Sequence, residues 1–217
     1  GFDVIREPSV SSFYPAKFGT RCLIRLGSIY SANRAQVKVD LDTSKWTIEF
    51  WHYYMIGTGA YTILYTDADY SISISKGATN ELIVLLGNGA SWINTMTSPI
   101  NLLTVGNWHH IAVTYDGIRY RMFCNGVLEG TYTPTTAFEV YKPSHLTLGH
   151  PFTNVNCGQD SAYDDFAVHN YCKYTASFTP PTEPLSNSIE PMYYYDIAKA
   201  EMYKGFYGSL AKQPAIF

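Results

Sequence analysis

Residues 107–117 read Asn107-Trp108-His109-His110-Ile111-Ala112-Val113-Thr114-Tyr115-Asp116-Gly117, and residues 120–127 read Tyr120-Arg121-Met122-Phe123-Cys124-Asn125-Gly126-Val127. In the first run Ile111, Val113 and Tyr115 alternate with Ala112 and Thr114, which is the period-two pattern of a half-buried β-strand. The pairs Asp-Gly and Asn-Gly adopt the positive φ angles that close tight hairpins. The stretch therefore predicts two chain reversals and an antiparallel β architecture.

The rest of the chain repeats this short-strand pattern. Ala35 to Leu41 alternates, with Val37, Val39 and Leu41 on one face. Further strands are predicted at residues 21–26, 46–56, 61–66, 70–75, 81–87, 144–150 and 162–171. A polar loop is predicted around Trp92. Ten to thirteen strands without a long helical period predict an all-β fold, an antiparallel two-sheet jelly-roll sandwich.

Five motifs occur in order: Trp46-Thr47-Ile48-Glu49-Phe50-Trp51, the hairpin stretch, Leu146-Thr147-Leu148-Gly149, Asp164-Asp165-Phe166-Ala167-Val168 and Tyr174-Thr175-Ala176-Ser177-Phe178-Thr179-Pro180-Pro181-Thr182. Their order resembles the laminin-G-like branch of the concanavalin A-like lectin/glucanase superfamily, from about residue 16 to 185. The last motif is similar to versions in bacteriophage virion proteins, where such jelly rolls lie on tail fibres, tail tips or capsid surfaces. The resemblance implies a concanavalin A-like sandwich, but function must be argued from sites.

Composition excludes several classes of protein. The 217 residues are 46% hydrophobic, enough for one large core, and carry a formal net charge of −3 with 15% charged residues. No cluster of Lys or Arg is present that would neutralise a run of phosphates, so nucleic-acid binding is not expected. No apolar run reaches the roughly 18 residues of a membrane span, so no membrane partner is expected.

The four cysteines, Cys22, Cys124, Cys157 and Cys172, are far apart and show no Cys-x-x-Cys spacing. Cys22 and Cys124 occupy core-like positions in apolar strands, where Cys serves as a small hydrophobic residue. Free thiols are therefore favoured, as expected of a protein assembled in a reducing cytoplasm. Two disulfides are the alternative in an oxidising compartment.

A proline-rich stretch, residues 179–184, cannot continue a sheet and marks the predicted end of the domain. Residues 1–185 are assigned to the laminin-G-like jelly roll and residues 186–217 to an aromatic-rich tail. Residues 192–204 are expected to form about three turns of helix after Pro191. The tail's aromatic surface needs a cover, either its own sandwich or a neighbouring virion subunit. A homo-oligomer is expected, with a trimer favoured for a fibre or a capsid threefold site.

The acidic residues do not form a glycosidase pair. Retaining glycosidases need two carboxylates about 5 Å apart, which the glucanases of this superfamily supply from one strand. Glu49 has Thr47 and Trp51 at the flanking positions of its face, so that face offers no second acid. Asp164 and Asp165 are adjacent in sequence and should point to opposite faces of a strand.

His109 and His110 are the most obvious alternative candidates for chemistry. As adjacent residues of a strand they face opposite ways, so they cannot clamp one metal ion together. Similar His pairs in this fold pack or form hydrogen bonds without chemistry. No catalytic residue is predicted, and the chain is interpreted as non-enzymatic.

Calcium is the one cofactor that the sequence indicates. Asp67 and Asp69 lie between two strands, where pentraxin and laminin-G relatives place an acidic pair, and Asp160 lies in the loop after Leu148-Gly149, where those relatives supply further ligands. The acidic triplet that pentraxins carry after that Gly is absent. Ordinary Asx turns are therefore the favoured interpretation, with Asp67, Asp69 and Asp160 as the candidate metal ligands.

Tyrosine is overrepresented, with 19 residues in 217. Aromatic faces stack on sugar rings, and Tyr, Asn, Ser and Gly together make adaptable binding surfaces. Trp92, between Ser91 and Ile93, is the best candidate for an exposed platform, with Tyr61 and Tyr70 as further candidate ligand contacts. The alternative for Trp92 is anchoring of its loop. The other tryptophans, Trp46, Trp51 and Trp108, are expected in the core.

These observations favour a non-enzymatic, lectin-like module of a bacteriophage particle, which decorates the virion surface or adheres to host-surface glycans. The alternative is a secreted or cell-surface carbohydrate-binding domain of a cellular organism. A glycan-cleaving enzyme is the least favoured interpretation, because paired catalytic acids are lacking.

Overall fold

A computed structural model describes residues 9–11, 16–19, 22–25, 35–55, 59–66, 70–135, 140–149, 161–185, 193–196, 201–206 and 209–212, with the backbone alone for 9–11, 24–25, 35–36 and the ranges from 193 onward. All regular elements in these ranges are β-strands, and they form two sheets. The described ranges contain no helix that is long and apolar enough to cross a membrane.

The larger sheet has ten strands: β1 (Ser9–Ser11), β2 (Cys22–Arg25), β4 (Trp46–Tyr54), β9 (Trp108–Tyr115), β10 (Tyr120–Cys124), β11 (Val127–Tyr132), β13 (Ser161–His169), β14 (Tyr193–Asp196), β15 (Glu201–Phe206) and β16 (Ser209–Lys212). The smaller sheet has six: β3 (Ala35–Lys38), β5 (Tyr61–Thr66), β6 (Ile72–Lys76), β7 (Leu82–Gly87), β8 (Trp92–Thr97) and β12 (His145–Leu148).

Both sheets are antiparallel throughout. In the larger sheet the strand order is β11-β10-β9-β4-β13-β14-β15-β16. Strand β14 pairs with the C-terminal half of one edge of β13, and β2 pairs with the N-terminal half of the same edge. The smaller sheet runs β3-β12-β5-β6-β7-β8. The predicted all-β, two-sheet jelly-roll sandwich is confirmed.

The core lies between the two sheets, because alternate side chains along each strand point toward the opposite sheet. Inward-facing side chains of β4, such as Ile48 and Phe50, are fully buried, and Phe50 packs on Phe166 with ring centroids 6.0 Å apart. Each such side chain contributes roughly 1.5–3 kcal/mol through burial. The sheets are also joined by a hydrogen bond, which the Tyr163 hydroxyl donates to the carbonyl oxygen of Ile63 over 3.0 Å.

The outer face of the larger sheet is covered as well, so β4, β9, β10 and β13 are buried at nearly every position. Lys17 and Phe18 lie on Trp51, with the Lys17 ammonium 3.8 Å from its ring. Further along this face, Tyr174 and Phe178 stack 3.5 Å apart. Burial on two sides explains why these strands lack the polar alternation of an exposed sheet.

Two tight turns confirm the predicted hairpins. Gly117 closes the turn between β9 and β10 with φ 93°, and Asn125 and Gly126 close the next with φ 50° and 78°. Two consecutive positive φ angles are the signature of a type I′ turn. Gly126 is also required for space, because a Cβ there would lie 2.0 Å from the Phe178 carbonyl oxygen.

Two local predictions are wrong. Trp92 begins strand β8 at the sheet edge instead of lying in a loop, since Gly87 and Trp92 pair across a short turn. The predicted helix at residues 192–204 is the second: in the described part of that range, Tyr193–Asp196 and Glu201–Phe206 are strands that extend the larger sheet from β13. Consecutive tyrosines favour strands, and an available sheet edge overrides the helix propensity of Ala and Lys. The division at residue 185 stays a prediction.

Three cysteines lie in the described part of the chain, and Cys22, Cys124 and Cys172 are all free thiols. Burial, followed by the nearby Asp164 charge, raises the pKa of Cys22 to about 11. Burial, followed by the charge of Glu129, raises the pKa of Cys124 to about 12. Cys22 and Cys124 therefore remain protonated packing residues, as predicted. Cys157 lies outside the described residues.

His52 lies in the core, where its Nε2 is 3.3 Å from the hydroxyl oxygen of Tyr61. Burial, with a smaller contribution from His109, lowers the pKa of His52 to about 3. We expect its imidazole resonances to show no titration between pH 8 and pH 4 in an NMR pH series. A midpoint near the ordinary value of about 6.5 would show that the side chain is hydrated.

Candidate functional site

Aromatic side chains lie together where the β5–β6 turn meets the β7–β8 hairpin. The Trp92 ring centroid is 5.5 Å from that of Tyr70 and 6.2 Å from that of Tyr65, at interplanar angles of 72° and 85°. Both contacts are edge-to-face, a favoured geometry for aromatic pairs. Tyr141 joins them from the segment before β12 and lies across Gly89, where a Cβ would be 2.5 Å from its ring. We call Tyr65, Tyr70, Trp92 and Tyr141 the aromatic rim.

Backbone hydrogen bonds fix the aromatic rim. The amides of Gly87 and Gly89 donate to the carbonyl oxygens of Ser71 and Tyr70, both over 2.8 Å. The Tyr141 amide donates to Gly87 over 3.0 Å, and the Ser71 hydroxyl donates to the Tyr141 carbonyl oxygen. Tyr70 has φ 52°, an uncommon conformation for a bulky residue that these bonds hold.

The rim keeps aromatic surface in contact with solvent. Tyr141 is 51% exposed and Tyr70 is 40% exposed, and Trp92 is half-buried. Ile93, which is 41% exposed, adjoins Trp92. Rings that are held rigidly and left partly open lose little conformational entropy when they bind a ligand.

Hydroxyl and apolar side chains share the outer face of the smaller sheet beside the rim. Strand register aligns two rows on this face, Tyr65-Ser73-Leu85-Thr95 and Thr62-Ser75-Ile83-Thr97. Thr95 and Thr97 are exposed, and Thr62 and Ser75 are half-buried. Rings beside neutral hydroxyl groups can stack on an apolar ring face and hydrogen-bond its polar substituents.

The structure does not bring the three predicted ligand contacts together. Trp92 and Tyr70 lie together, but Tyr61 is 3% exposed in the core, so its burial does not support the prediction that it contacts a ligand. Sequence reasoning missed Tyr65 and Tyr141. Tyr65 was recognisable as the last aromatic of β5 before an acidic turn, whereas no periodic pattern marks Tyr141.

The predicted calcium ligands Asp67, Asp69 and Asp160 lie outside the described residues. Within the described ranges, no group of three or more His, Cys, Asp or Glu side chains is placed to hold a metal ion. Calcium binding stays a prediction.

Glu49 lies at the centre of a second polar cluster, on the covered outer face of the larger sheet. Its carboxylate is fully buried, and Oε1 lies 2.6 Å from His169 Nε2 and 2.8 Å from Lys173 Nζ. Oε2 accepts a 2.8 Å hydrogen bond from the Tyr174 hydroxyl and lies 3.2 Å from His110 Nε2. The cluster joins β4, β9 and β13 to the segment that crosses them.

The environment of Glu49 keeps it ionised. Burial acts to raise its pKa, but the contacts with His110 and His169 and the charge of Lys173 outweigh burial and hold the pKa of Glu49 well below 4.5. A carboxylate that is sealed from solvent and engaged by four partners has no open side toward a substrate. The geometry fits a structural cluster.

The remaining acid and histidine candidates bind neighbouring backbone. His109 Nε2 accepts the Thr104 amide over 3.0 Å, which agrees with its predicted packing role. Asp164 accepts the amides of Lys17 and Phe18, and Asp165 accepts that of Leu185 over 2.9 Å. A bulge between Asp164 and Ala167 interrupts the strand alternation at this point. Through the hydrogen bonds that they accept, both acids anchor segments that cover the strand.

The tryptophan predictions are confirmed for two residues. Trp46 is fully buried and Trp51 is 5% exposed. Trp108 is half-buried and packs on Tyr53 with ring centroids 5.2 Å apart.

Comparison with solved structures finds similar sandwiches in the binding domains of botulinum neurotoxins. The serotype D binding domain matches with TM-score 0.59 and 12% identity, over 76% of this chain and 43% of that one. The serotype G binding domain matches with TM-score 0.57 and 14% identity, over 72% and 41%. A serotype D ligand-binding domain solved in complex with N-acetylneuraminic acid matches with TM-score 0.55 and 12% identity, over 72% and 44%.

At these identities the likeness shows the fold alone, and this chain spans less than half the length of those domains. No curated protein matches the chain significantly. The sequence model described as the concanavalin A-like lectin/glucanases superfamily matches residues 28–176, most of the chain and all but the ends of the expected range. The chain belongs to the concanavalin A-like lectin/glucanases superfamily.

Proposed function

We propose that this chain is a non-enzymatic glycan-binding module carried on the surface of a bacteriophage particle. The observation that carries the proposal is the aromatic rim, in which the exposed Tyr70 packs edge-to-face on Trp92 and the exposed Tyr141 lies across Gly89 of the same hairpin. The rim lies beside the outer face of the smaller sheet, which carries hydroxyl groups. Rigid aromatic surface with neutral hydrogen-bonding groups at its edge is the chemistry that binds sugar rings.

A binding role agrees with the placement of the acidic residues. Glu49 is sealed beneath the covering segment, and Asp164 and Asp165 accept backbone amides of covering segments. These three acids are therefore held by groups of the protein itself, whereas glycoside hydrolysis needs a pair of carboxylates at the sugar. We therefore infer that the module holds glycans without cleaving them.

The phage context rests on the final motif, Tyr174 to Thr182, which resembles endings found in virion proteins. The free thiols Cys22, Cys124 and Cys172 agree with assembly in a reducing cytoplasm. Assembly with other virion subunits, a trimer and a role for the tail in the oligomer contact belong to the same proposal. Strands β14 to β16 add an edge to the larger sheet through which such a contact can form.

Replacing Trp92 with alanine is expected to weaken glycan binding by at least about tenfold, because the central ring supports both Tyr65 and Tyr70. The measurement is binding to an array of bacterial surface polysaccharides and mammalian glycans, followed by calorimetry with the best ligand. The matched control is Trp108→Ala, which removes a half-buried tryptophan from the other sheet. Failure of the folded wild-type protein to bind any array glycan would overturn the proposal.

A further inference from the structure

We propose that the aromatic rim recognises the acetamido group of N-acetylated hexosamines, and that Asn88 donates the hydrogen bond that selects it. This assignment rests on the proposed glycan-binding function and names the class of sugar for that site. Two features of the described residues carry it, hydrogen-bond donors beside the rim and a corner between two nearly perpendicular rings.

Asn88, in the turn between β7 and β8, is held so that it presents donors to a ligand. Its Oδ1 accepts the backbone amides of Ala90 and Ser91, each over 3.0 Å. Since both partners are donors, the side-chain atom that faces them must be the oxygen. Asn88 is exposed, and no described residue accepts a hydrogen bond from its Nδ2. Its two amide hydrogens are therefore what it offers to a ligand.

Trp92 adds a second donor directly after the turn, as the first residue of β8. Its indole N–H can donate but not accept, and no described residue accepts a hydrogen bond from it. Two neighbouring groups that only donate favour a ligand atom that only accepts. An amide carbonyl oxygen has two lone pairs and no hydrogen, whereas a sugar hydroxyl must also place its own hydrogen.

The rings provide a place for the methyl group of the same substituent. Tyr70 stands at 72° to Trp92, with ring centroids 5.5 Å apart, so the two rings form a corner. Tyr70 is 40% exposed, which leaves its side of the corner in contact with solvent. A methyl group placed there gains by leaving water, whereas a hydroxyl group would lose hydrogen bonds to water without replacing them.

The acetamido group matches these features together, because it joins a methyl group, a carbonyl oxygen and an N–H. The methyl group suits the ring corner, and the carbonyl oxygen suits the donors of Asn88 and Trp92. The exposed hydroxyl of Ser91, between those two residues in sequence, can accept the N–H. An ordinary hexose carries a hydroxyl at the same carbon and lacks both the methyl group and the carbonyl oxygen.

The test is calorimetry with two pairs of sugars in which an acetamido group replaces a hydroxyl group. One pair is chitotriose and cellotriose, and the other is the methyl α-glycosides of N-acetylgalactosamine and galactose. Wild-type protein is expected to bind the acetamido member at least about tenfold more tightly in at least one pair.

Asn88→Asp keeps an oxygen for the amides of the turn but removes the donors. It is expected to reduce the acetamido preference to below about threefold, with an unchanged melting temperature. Asn101→Asp is the matched control, because it makes the same change of charge at an exposed asparagine between β8 and β9 and should keep the preference. Trp92→Phe keeps a ring and removes the indole N–H, and it should weaken binding of the acetamido member about threefold or more while changing the other member less.

The outcomes separate this assignment from the proposed function. Equal affinities within both pairs, or a best array ligand without an N-acetyl group, would overturn the acetamido assignment and leave glycan binding intact. A full preference in folded Asn88→Asp would overturn the role of Asn88. Binding of no glycan at all by protein with a cooperative melting curve would overturn the proposed function itself.

Discussion

Replacing Glu49 with alanine is expected to destabilise the fold by about 3–5 kcal/mol, measured as the free energy of unfolding in urea at pH 7. The change removes the shared acceptor of Lys173 and Tyr174, and it takes the Glu49 carboxylate away from an ammonium group whose side chain is only 15% exposed. Breaking a buried pair from one side costs more than the pair contributes, because the remaining charge is left uncompensated. The segment over the outer face should become the first part of the sandwich to gain protease sensitivity.

Glu183→Ala is the matched control, since Glu183 is an exposed acid close to the end of the same covering segment. Its removal should change stability by less than about 0.5 kcal/mol. A loss below about 1 kcal/mol in Glu49→Ala would contradict the structural role of the cluster.

The same cluster fixes the direction of the pH dependence. Since the folded state holds the pKa of Glu49 well below 4.5, its ionised form contributes stability that is fully present above the unfolded-state pKa. That contribution is lost as the pH falls below about 4.5 and approaches the folded-state pKa. Wild-type stability should therefore drop more steeply than that of Glu49→Gln below this pH, and the two curves should run parallel above about pH 6. A steeper acid loss in the Gln variant would contradict this assignment.

The fold was predictable because its signals are local. The alternation of Ile111, Val113 and Tyr115 specifies a strand within a few residues, and the turns at Gly117 and at Asn125-Gly126, where the φ angles are positive, are specified just as locally. Strand β8 escaped detection because an edge strand mixes exposed Ile93 with buried Met96 and shows no clean polar alternation. The tail escaped because pairing with β13, which lies far away in sequence, decides its conformation.

The polar clusters were much less predictable, because their members meet only through tertiary structure. Glu49 and its partner His169 are 120 residues apart, and nothing in either motif indicates the other. The available signal was a single Glu inside the apolar run of β4, whose burial requires a counter-charge. Likewise Trp92 and Tyr70 were recognisable as aromatics near turns, whereas the position of Tyr141 depends on a crossing segment.

Gly87→Ala is expected to lower stability by about 3 kcal/mol and to weaken glycan binding more than tenfold. A Cβ at Gly87 would lie 2.2 Å from the Tyr70 carbonyl oxygen and 2.9 Å from that of Ser91. Both obstacles are backbone atoms, so the segments that carry Tyr70 and Trp92 must separate. The hydrogen bond that the Tyr141 amide donates to Gly87 lies at the same junction, so Tyr141 shifts with them.

The matched control is Gly77→Ala, at the end of β6 in the same sheet. Neither glycine has a positive φ, so backbone strain does not distinguish them. A Cβ at Gly77 meets the Glu81 side chain, whose flexible end can move aside. We expect a loss below about 1 kcal/mol and unchanged glycan affinity. Wild-type affinity in Gly87→Ala would show that the ligand does not depend on the rim. Three segments meet at Gly87, where there is no room for a Cβ. Loss of binding in Gly87→Ala but not in Gly77→Ala would show that this backbone junction holds the sugar-binding rings in place.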